Sequence, residues 1–337
     1  MKKIIYISIL LLVASITSCE RALIAPDAYG EPEDVYDELW TRLNERYSFF
    51  EYKKINWDSL YLVYRYQITE ETSEVELFDI CSALLYELRD GHVNLTSPFD
   101  VSRNWQWYLN SPQNFDFETL ERNYWGENYR ITGPFRNMVL RDSVVYVYYS
   151  SFSNLYGDGQ INAILKSASS YKGLIFDIRD NGGGFIMNAN DLAGKFIKKD
   201  QVLGYTRTKL DTIAGAFGPM QSISIEADQE VYFNKPVILL TNRSSYSAAN
   251  LFTTFMSALP QVTIIGDTTG GGGGLPITYQ LSNGWRVRYS STQTFDIDGY
   301  NVEHGVAPDT VVNISASHIA NGVDPILEAA IHRILLR

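Results

Sequence analysis

Short apolar runs alternate with helical patterns from residue 143 to the end of the chain. The runs Val144–Tyr149, Gly173–Ile178 and Val237–Leu240 are typical of buried strands. Helical patterns follow at residues 160–170, 188–197 and 248–259, with a last amphipathic helix expected over residues 324–336. Strands that alternate with helices usually pair in parallel, and the helices cover the sheet. The pattern therefore predicts an α/β core with a largely parallel central sheet over residues 143–337.

A different pattern precedes this core. Residues 32–92 predict three helices, the first with Val35 and Leu39 on one face. Ser73 and Glu76 have the spacing of a capping box, which would begin the third helix. We therefore predict a small N-terminal helical bundle.

Residues 93–142 connect the bundle to the core, and the sequence between 97 and 136 is irregular and aromatic-rich. The aromatic side chains there include Trp105, Trp107, Tyr108, Phe115, Phe117, Tyr124, Trp125 and Tyr129. Such a segment can form a lid over a site, or a satellite core that covers the main domain. The second interpretation is favoured.

The composition is that of a globular protein and narrows the classes of partner. The 337 residues are 45% hydrophobic and 20% charged, which suffices for a full core. Lys and Arg number 28 against 39 Asp and Glu, a formal charge of −11. This acidic balance disfavours nucleic acid and anionic membrane surfaces as partners. The four histidines are scattered, and neither a metal site nor a cofactor is predicted.

The N-terminal segment resembles the signal sequence of a bacterial lipoprotein. Two lysines precede an apolar run, Ile4–Val13, that is too short to span a membrane comfortably. The run leads to Cys19 in a sequence like a lipobox; the alternative is an ordinary signal peptide with a chance cysteine. We predict a signal peptide over residues 1–18, lipidation of Cys19, a tether over residues 19–31, and a lipoprotein of the cell envelope, at the outer membrane. Cys81, the other cysteine, lies on an apolar helix face and is expected in the core.

Several serines stand where an apolar strand gives way to a helix. The segment is TNRSSYSAANLF, Thr241–Phe252. A serine at such a turn is exposed beside the unpaired N–H groups and the positive dipole end of a helix, which suits a nucleophile. The alternative is that Ser244, Ser245 and Ser247 only cap the helix.

Three glycines follow another predicted strand, in the segment GLIFDIRDNGGGF, Gly173–Phe185. Glycine lets the backbone adopt unusual φ values and approach a substrate, so such a loop can direct N–H groups at a developing oxyanion. A plain turn between strand and helix is the alternative. A phosphate-binding loop is disfavoured, because the lysine and the Ser or Thr of a Walker sequence are absent.

Two further segments supply a candidate base and a candidate carboxylate. His92 lies in the sequence DGHV, on a turn after the bundle, and histidine is the commonest general base near pH 7. Glu303 lies in a turn-rich segment, Asn301–Asp309, where a carboxylate can orient a histidine and stabilise its protonated form. A structural histidine and a plain loop charge are the alternatives.

Together these segments resemble peptidase family S41, the tail-specific and tricorn-type serine proteases. The matching pieces, in the order of the family, are DGHV, YVYYSSFS, GLIFDIRDNGGG, LLTNRSSYSAAN, IIGDTTGGGGG and VEHGVAPD. The resemblance implies a crotonase/ClpP-like α/β catalytic core after the helical bundle. It also implies a serine-type peptidase that hydrolyses envelope proteins or peptides through an acyl-enzyme.

The sequence departs from the branch of the family that uses a serine–lysine dyad. Gly272 stands where that branch has its lysine, and no lysine follows Lys235. A Ser–Lys mechanism is therefore excluded, and the chain is similar to the tricorn-like branch, which uses serine, histidine and glutamate. The resemblance implies these site residues: Ser247 as nucleophile, His92 as general base, Glu303 as its orienting partner, and the N–H groups of Gly183 and Ala248 as oxyanion donors, with Gly182 as the alternative to Gly183.

Many relatives carry a PDZ domain between the bundle and the core. Residues 93–143 are too few for one, so recognition of substrate C-termini by β-addition is not expected. The rival interpretation is a non-catalytic S41-like domain that binds a hydrophobic ligand or a protein partner, and a third is a crotonase-like acyl-thioester enzyme. The complete set of serine, histidine and glutamate favours the peptidase.

Overall fold

The computed structural model describes residues 30–105, 108, 110–210 and 215–336. The predicted signal peptide, Cys19, most of the predicted tether and Trp107 lie outside these residues. In the described ranges, no helix has both the length and the apolar character that a membrane crossing requires.

The strands are β1 (Asn94–Thr96), β2 (Arg130–Thr132), β3 (Phe135–Leu140), β4 (Val144–Tyr149), β5 (Gly173–Asp177), β6 (Gln201–Thr208), β7 (Gln221–Ile225), β8 (Val237–Thr241), β9 (Val262–Gly266), β10 (Pro276–Gln280), β11 (Arg286–Ser290), β12 (Thr292–Phe295) and β13 (Thr310–Val311). The helices are α1 (Pro32–Arg46), α2 (Phe50–Lys53), α3 (Trp57–Arg65), α4 (Glu74–Tyr86), α5 (Phe117–Leu120), α6 (Asp158–Ala168), α7 (Ile186–Gly194), α8 (Ala248–Ser257), α9 (Ala316–Ala320) and α10 (Pro325–Leu335). A π-helix spans Glu121–Trp125 and a 3₁₀ helix spans Val302–His304.

A seven-stranded sheet forms the centre of the molecule, in the order β13–β9–β8–β5–β4–β3–β2. Neighbouring strands from β13 to β4 are parallel, whereas β4, β3 and β2 pair in antiparallel fashion. The predicted α/β core is therefore confirmed. Its sheet also takes in β2 and β3, which precede the predicted start of the core at residue 143.

Two hydrophobic cores lie on opposite faces of this sheet, because alternate residues of a strand point to opposite sides. In β4, Val145 and Val147 pack with α6, α7 and α8, whereas Tyr146 and Tyr148 pack on the side of α10. Covering both faces explains why the central strands are apolar throughout.

A third core joins the N-terminal helices to the C-terminal half of the chain. Leu39 of α1 and Cys81 of α4 are fully buried against Trp285 and Val287, at the start of β11. β11 lies between β1 and β10 in a small antiparallel sheet, and β6 lies between β12 and β7 in another. The helices predicted as a bundle therefore pack against a sheet that is formed by β1 and by two strands of the C-terminal half, β10 and β11.

The sequence-based expectations for the first half of the chain hold in part. The capping box of Ser73 and Glu76 begins α4 as predicted. Residues 93–142 are more regular than predicted, since they contain β1, α5, the π-helix, β2 and β3. Phe115 stacks on Tyr148 and Trp125 packs against the same ring, so that both cover one face of the central sheet, as the favoured interpretation of this segment predicted.

Candidate active site

Ser247 is held in a strained turn between β8 and α8. β8 ends at Thr241, α8 begins at Ala248, and Ser247 has φ 56° and ψ −116°. A positive φ is unusual for a residue with a Cβ, and costs on the order of 1–3 kcal/mol. The Ser247 N–H donates to the carbonyl oxygen of Gly271 at 2.9 Å, which helps to hold the turn. The half-buried hydroxyl is thus presented at the start of a helix.

The capping alternative does not describe Ser247. Within the described residues, its side chain makes no capping hydrogen bond to α8. Ser245 has the structural role instead: it is fully buried and its hydroxyl donates to the Ile178 carbonyl oxygen at 2.8 Å. The serine that remains available for chemistry is therefore Ser247.

His92 lies beside this serine although 155 positions separate them in the chain. Its Nε2 is 2.9 Å from Ser247 Oγ, and its ring packs against the ring of Tyr246 with centroids 4.9 Å apart. Its backbone N–H donates to Asp90 Oδ1 at 2.8 Å, so the turn DGHV positions the imidazole. The other ring nitrogen, Nδ1, is buried, and a hydrogen bond between the ring and the backbone of Gly274 acts to raise the pKa of His92.

The surroundings of His92 keep its imidazole neutral. Burial lowers the pKa of His92 to about 4; Arg288 and Lys53 act in the same direction, and Asp90 opposes them. Arg288 Nη1 lies 3.5 Å from the His92 carbonyl oxygen. At neutral pH the imidazole can therefore accept a proton from Ser247.

Glu303 belongs to the same buried cluster, but it does not make the expected contact with His92. Its Oε1 lies 2.7 Å from Lys53 Nζ, and its Oε2 accepts the Gly273 N–H at 2.9 Å. The expected direct contact between carboxylate and imidazole is not formed. Burial raises the pKa of Glu303 to about 7, and Lys53 opposes this effect.

Lys53 and Asp90 are site residues to which the sequence analysis assigned no role. Lys53 Nζ lies 3.7 Å from Asp90 Oδ2 and donates to the Arg89 carbonyl oxygen at 3.1 Å. Burial alone would raise the pKa of Asp90, but Lys53 and His92 hold it below its ordinary value. Asp90 lies two residues before His92, and this spacing could have predicted a role for it at the site. No comparable pattern marks Lys53, which lies at the end of a short helix.

The predicted oxyanion donors adjoin Ser247. A Cβ on Gly183 would come within 2.8 Å of both Ala248 N and Ser247 Cβ, so this loop touches the serine turn. The Gly183 N–H donates to Asn181 Oδ1 at 3.0 Å. The N–H groups of Gly182 and Ala248 make no hydrogen bond within the described residues.

The glycine run 270–274 passes close to the site, as predicted. Gly272 has φ +77°, and a Cβ there would lie 2.6 Å from the ring of Tyr246. Position 272, where the family resemblance would place the lysine of the serine–lysine branch, therefore has no room for a side chain in this protein. A Cβ on Gly271 would come closer still to the backbone oxygen of Glu303, and the Gly271 carbonyl oxygen accepts the N–H of Ser247.

A cavity of about 340 Å³ opens beside Ser247. Its apolar lining comes from Ile186, Ile223, Leu251, Leu275, Pro276 and Val302, and its polar lining from Asn190, Thr206, Thr208, Gln221, Asn250, Thr292 and Thr294. None of these described lining residues is charged. The described residues also contain no group of three or more His, Cys, Asp or Glu side chains arranged to hold a metal.

Family models match both parts of the chain. A model described as peptidase family S41 matches residues 143–312, and a model of the tricorn protease C1 domain matches residues 29–85. A candidate peptidase from Parabacteroides merdae, known from a crystal structure, is 40% identical with a TM-score of 0.87. That similarity covers 91% of this chain and 97% of the other.

Two curated relatives match over shorter stretches. The tricorn protease of Thermoplasma volcanium is 32% identical over 170 residues, which are 50% of this chain and 15% of the relative. A carboxyl-terminal-processing protease of Synechocystis is 26% identical over 198 residues, which are 56% of this chain and 43% of the relative. The chain spans less than half the length of the curated relatives it matches. With the family model over about half of its residues and a close structural relative over nearly all of them, the chain belongs to peptidase family S41.

Proposed function

We propose that the protein is a serine-type endopeptidase that works through an acyl-enzyme. The observation that carries the proposal is the 2.9 Å separation of Ser247 Oγ and His92 Nε2 at a strained strand-to-helix turn. A serine hydroxyl is a weak nucleophile until a base removes its proton, and a neutral imidazole at hydrogen-bond distance is such a base. Membership of the S41 family supports the same reaction.

In the proposed reaction, Ser247 Oγ attacks the carbonyl carbon of a peptide bond while His92 Nε2 takes the hydroxyl proton. The tetrahedral intermediate collapses, the C–N bond breaks, and His92 gives its proton to the leaving amine. Water then attacks the ester with His92 again as base, and the acid leaves with Ser247 restored.

The negative oxygen of the intermediate needs donors placed before the reaction. The N–H of Ala248, at the first position of α8, supplies one of them and gains from the positive end of the helix dipole. The second comes from the glycine loop. Gly183 adjoins Ser247, but its N–H donates to Asn181 and must give up that hydrogen bond before it can bind the oxyanion. The N–H of Gly182 has no hydrogen bond among the described residues to give up.

The substrate proposed for this site is a peptide or protein with an uncharged, largely apolar residue before the cleaved bond. The uncharged cavity beside Ser247 supports this class, because a charged side chain would lose hydration there without a partner.

We also propose that lipidation of Cys19 attaches the enzyme to the cell envelope, at the outer membrane, and that this anchor is its contact with the membrane. The lipobox-like sequence and the preceding apolar run support this location. Labelling of growing cells with radioactive palmitate should mark the wild-type protein and not Cys19→Ala. Equal labelling of both would rule out this anchor.

The proposed activity is tested on a form that lacks residues 1–19, incubated with a library of unstructured peptides. We expect new termini in mass spectra with the wild type and none with Ser247→Ala. The residues before the new termini should be uncharged. Cleavage by Ser247→Ala, or no cleavage by folded wild type, would reject the proposed activity and favour a binding role.

A further inference from the structure

Three ionisable side chains are buried next to His92 that no step of the proposed reaction uses. Lys53, Asp90 and Glu303 are 7%, 1% and 5% exposed. They come from α2, from the turn after α4 and from the 3₁₀ helix near the C-terminus. Burying charges is costly unless they are paired and hydrogen-bonded, so this arrangement calls for an explanation.

The contacts form a chain that ends at His92. Lys53 Nζ lies 2.7 Å from Glu303 Oε1 and 3.7 Å from Asp90 Oδ2. Asp90 Oδ1 accepts the backbone N–H of His92. Asp90 Oδ2 also accepts hydrogen bonds from Tyr47 and Ser290, each at 3.1 Å, so the carboxylate is fixed from several elements.

Lys53 is not placed as a general base. Its ammonium donates to the Arg89 carbonyl oxygen and is paired with Glu303, while the hydroxyl of Ser247 is paired with His92. Lys53 therefore acts on His92 through the two carboxylates, Asp90 and Glu303.

We propose that Lys53 is a positioning residue: its ammonium bridges Asp90 and Glu303, so that His92 faces a carboxylate pair with a single net negative charge. That charge stabilises the imidazolium that forms when Ser247 loses its proton. Arg288 also faces His92 from β11, and Tyr246 packs on its ring; both stay constant when Lys53 or Glu303 is changed. The inference rests on the proposed function.

The test uses a fluorophosphonate, which reacts with an activated serine and requires no knowledge of the natural substrate. Ser247 Oγ attacks phosphorus, the P–F bond breaks, fluoride leaves, and His92 takes the hydroxyl proton. The rate constant is read from the mass of the intact protein, with Ser247→Ala as the blank. If the folded wild type does not react, the proposed function itself is rejected, independently of the role of Lys53.

The decisive comparison is between Glu303→Gln and the double variant Lys53→Met/Glu303→Gln. Labelling is measured at about pH 8.5, above the pKa of Glu303, so that this carboxylate is ionised in the wild type. In the single variant, the ammonium remains but one carboxylate is gone, so the net charge of the group rises from −1 to zero. We expect labelling to slow by about tenfold or more, in the range of general-base effects. Removing Lys53 as well restores the charge of −1, and we expect labelling to become several-fold faster than in the single variant. A double variant that is no faster would overturn the proposal.

A matched control separates this effect from the loss of any buried lysine. Lys195 is fully buried and paired with Asp158 and Asp228, outside the site. Folded Lys195→Met should be labelled at the wild-type rate. If Lys195→Met were slowed as much as Glu303→Gln, the cause would be a general loss of structure, and Lys53 would have no specific role.

A second measurement covers failure of the double variant to fold. The pKa of His92 is followed by NMR with ¹³C-labelled histidine in wild type and Lys53→Met. Near pH 4 the Glu303 carboxyl is protonated, so Lys53 is the member of the group whose removal changes the charge beside the ring. A higher pKa of His92 in the variant supports the proposal, because the imidazolium has lost a positive charge nearby. An unchanged or lower pKa would overturn it.

Discussion

At the level of single residues, the site concentrates features that cost stability. Ser247 holds a positive φ, His92 buries an imidazole whose charged form is disfavoured there, and Glu303 is buried beside a second carboxylate. Each is unfavourable by itself, and such features persist where the surrounding structure fixes them for a function. Their coincidence at one site supports the proposed site independently of family membership.

The pairing of Ser247 with His92 was anticipated only by the family resemblance. No local pattern relates two residues 155 positions apart, and the two segments are weak signals when read separately. Lys53 was not predicted as a site residue for a physical reason. A lysine at the end of a short helix is usually solvated. Its burial here depends on carboxylates that distant segments of the chain supply.

The Glu303→Gln variant should keep its activity to low pH, because no carboxyl titrates at position 303. Since the pKa of His92 is lowered to about 4, we expect kcat/KM of this variant to stay near its neutral value down to about pH 5 and to fall as pH approaches 4. A pH–rate profile on a peptide found in the library screen measures this. An acidic limb near pH 6.5 in this variant would contradict the burial argument.

The same lowered pKa predicts the direction of a stability change. The unfolded chain binds a proton at His92 near pH 6.5, whereas the folded protein does so near pH 4, so His92 destabilises the fold as pH falls between these values. Relative to His92→Gln, the wild type should lose up to about 3 kcal/mol of unfolding free energy over this range. Urea unfolding of both proteins at several pH values provides the measurement. Glu303, with its raised pKa, acts in the opposite direction, but it is common to both proteins.

Gly272 should not tolerate a side chain. Gly272→Ala places a Cβ 2.6 Å from the ring of Tyr246 and keeps the costly positive φ. We expect a loss of about 2–4 kcal/mol of unfolding free energy and a fall in activity, since Tyr246 packs on His92. Gly299→Ala is the matched control: its φ is +85°, but no atom lies within 4 Å of the added Cβ. If both variants lose the same stability, the contact with Tyr246 is not the cause.

At the level of elements, the strands buried on both faces were the predictable part of the fold. β4, β5 and β8 are short apolar runs, and their parallel pairing follows from the helices between them. The two smaller sheets were not predicted. β10 and β11 mix polar and apolar residues, and the pairing of β11 with β1 joins Val287 to the distant Leu95. Local patterns do not specify such long-range pairing.

Trp285 should hold the N-terminal helices against β11. It is 1% exposed and packs on Phe78 of α4. We expect Trp285→Ala to cost about 3–5 kcal/mol of unfolding free energy, as for other large side chains removed from a core. Trp105→Ala is the control, since Trp105 is 48% exposed. Similar thermal unfolding of the two variants would contradict this role of Trp285.

At the level of the whole molecule, the helical region and the α/β region should unfold together. They share a hydrophobic core and the buried ion pair of Lys53 and Glu303, so neither has a complete interior alone. We expect helix loss by circular dichroism and tryptophan fluorescence to follow a single transition in urea. Two separated transitions would show that residues 32–92 form an independent domain, as the sequence analysis proposed.

The site draws Lys53 and His92 from one end of the chain and Ser247 and Glu303 from the other. A ribosome that has produced the first two hundred or so residues of such a chain has made the base but not yet the nucleophile. In the proposed mechanism, a chain at this stage cannot form an acyl-enzyme, and it gains the complete site only after residue 303 has been made.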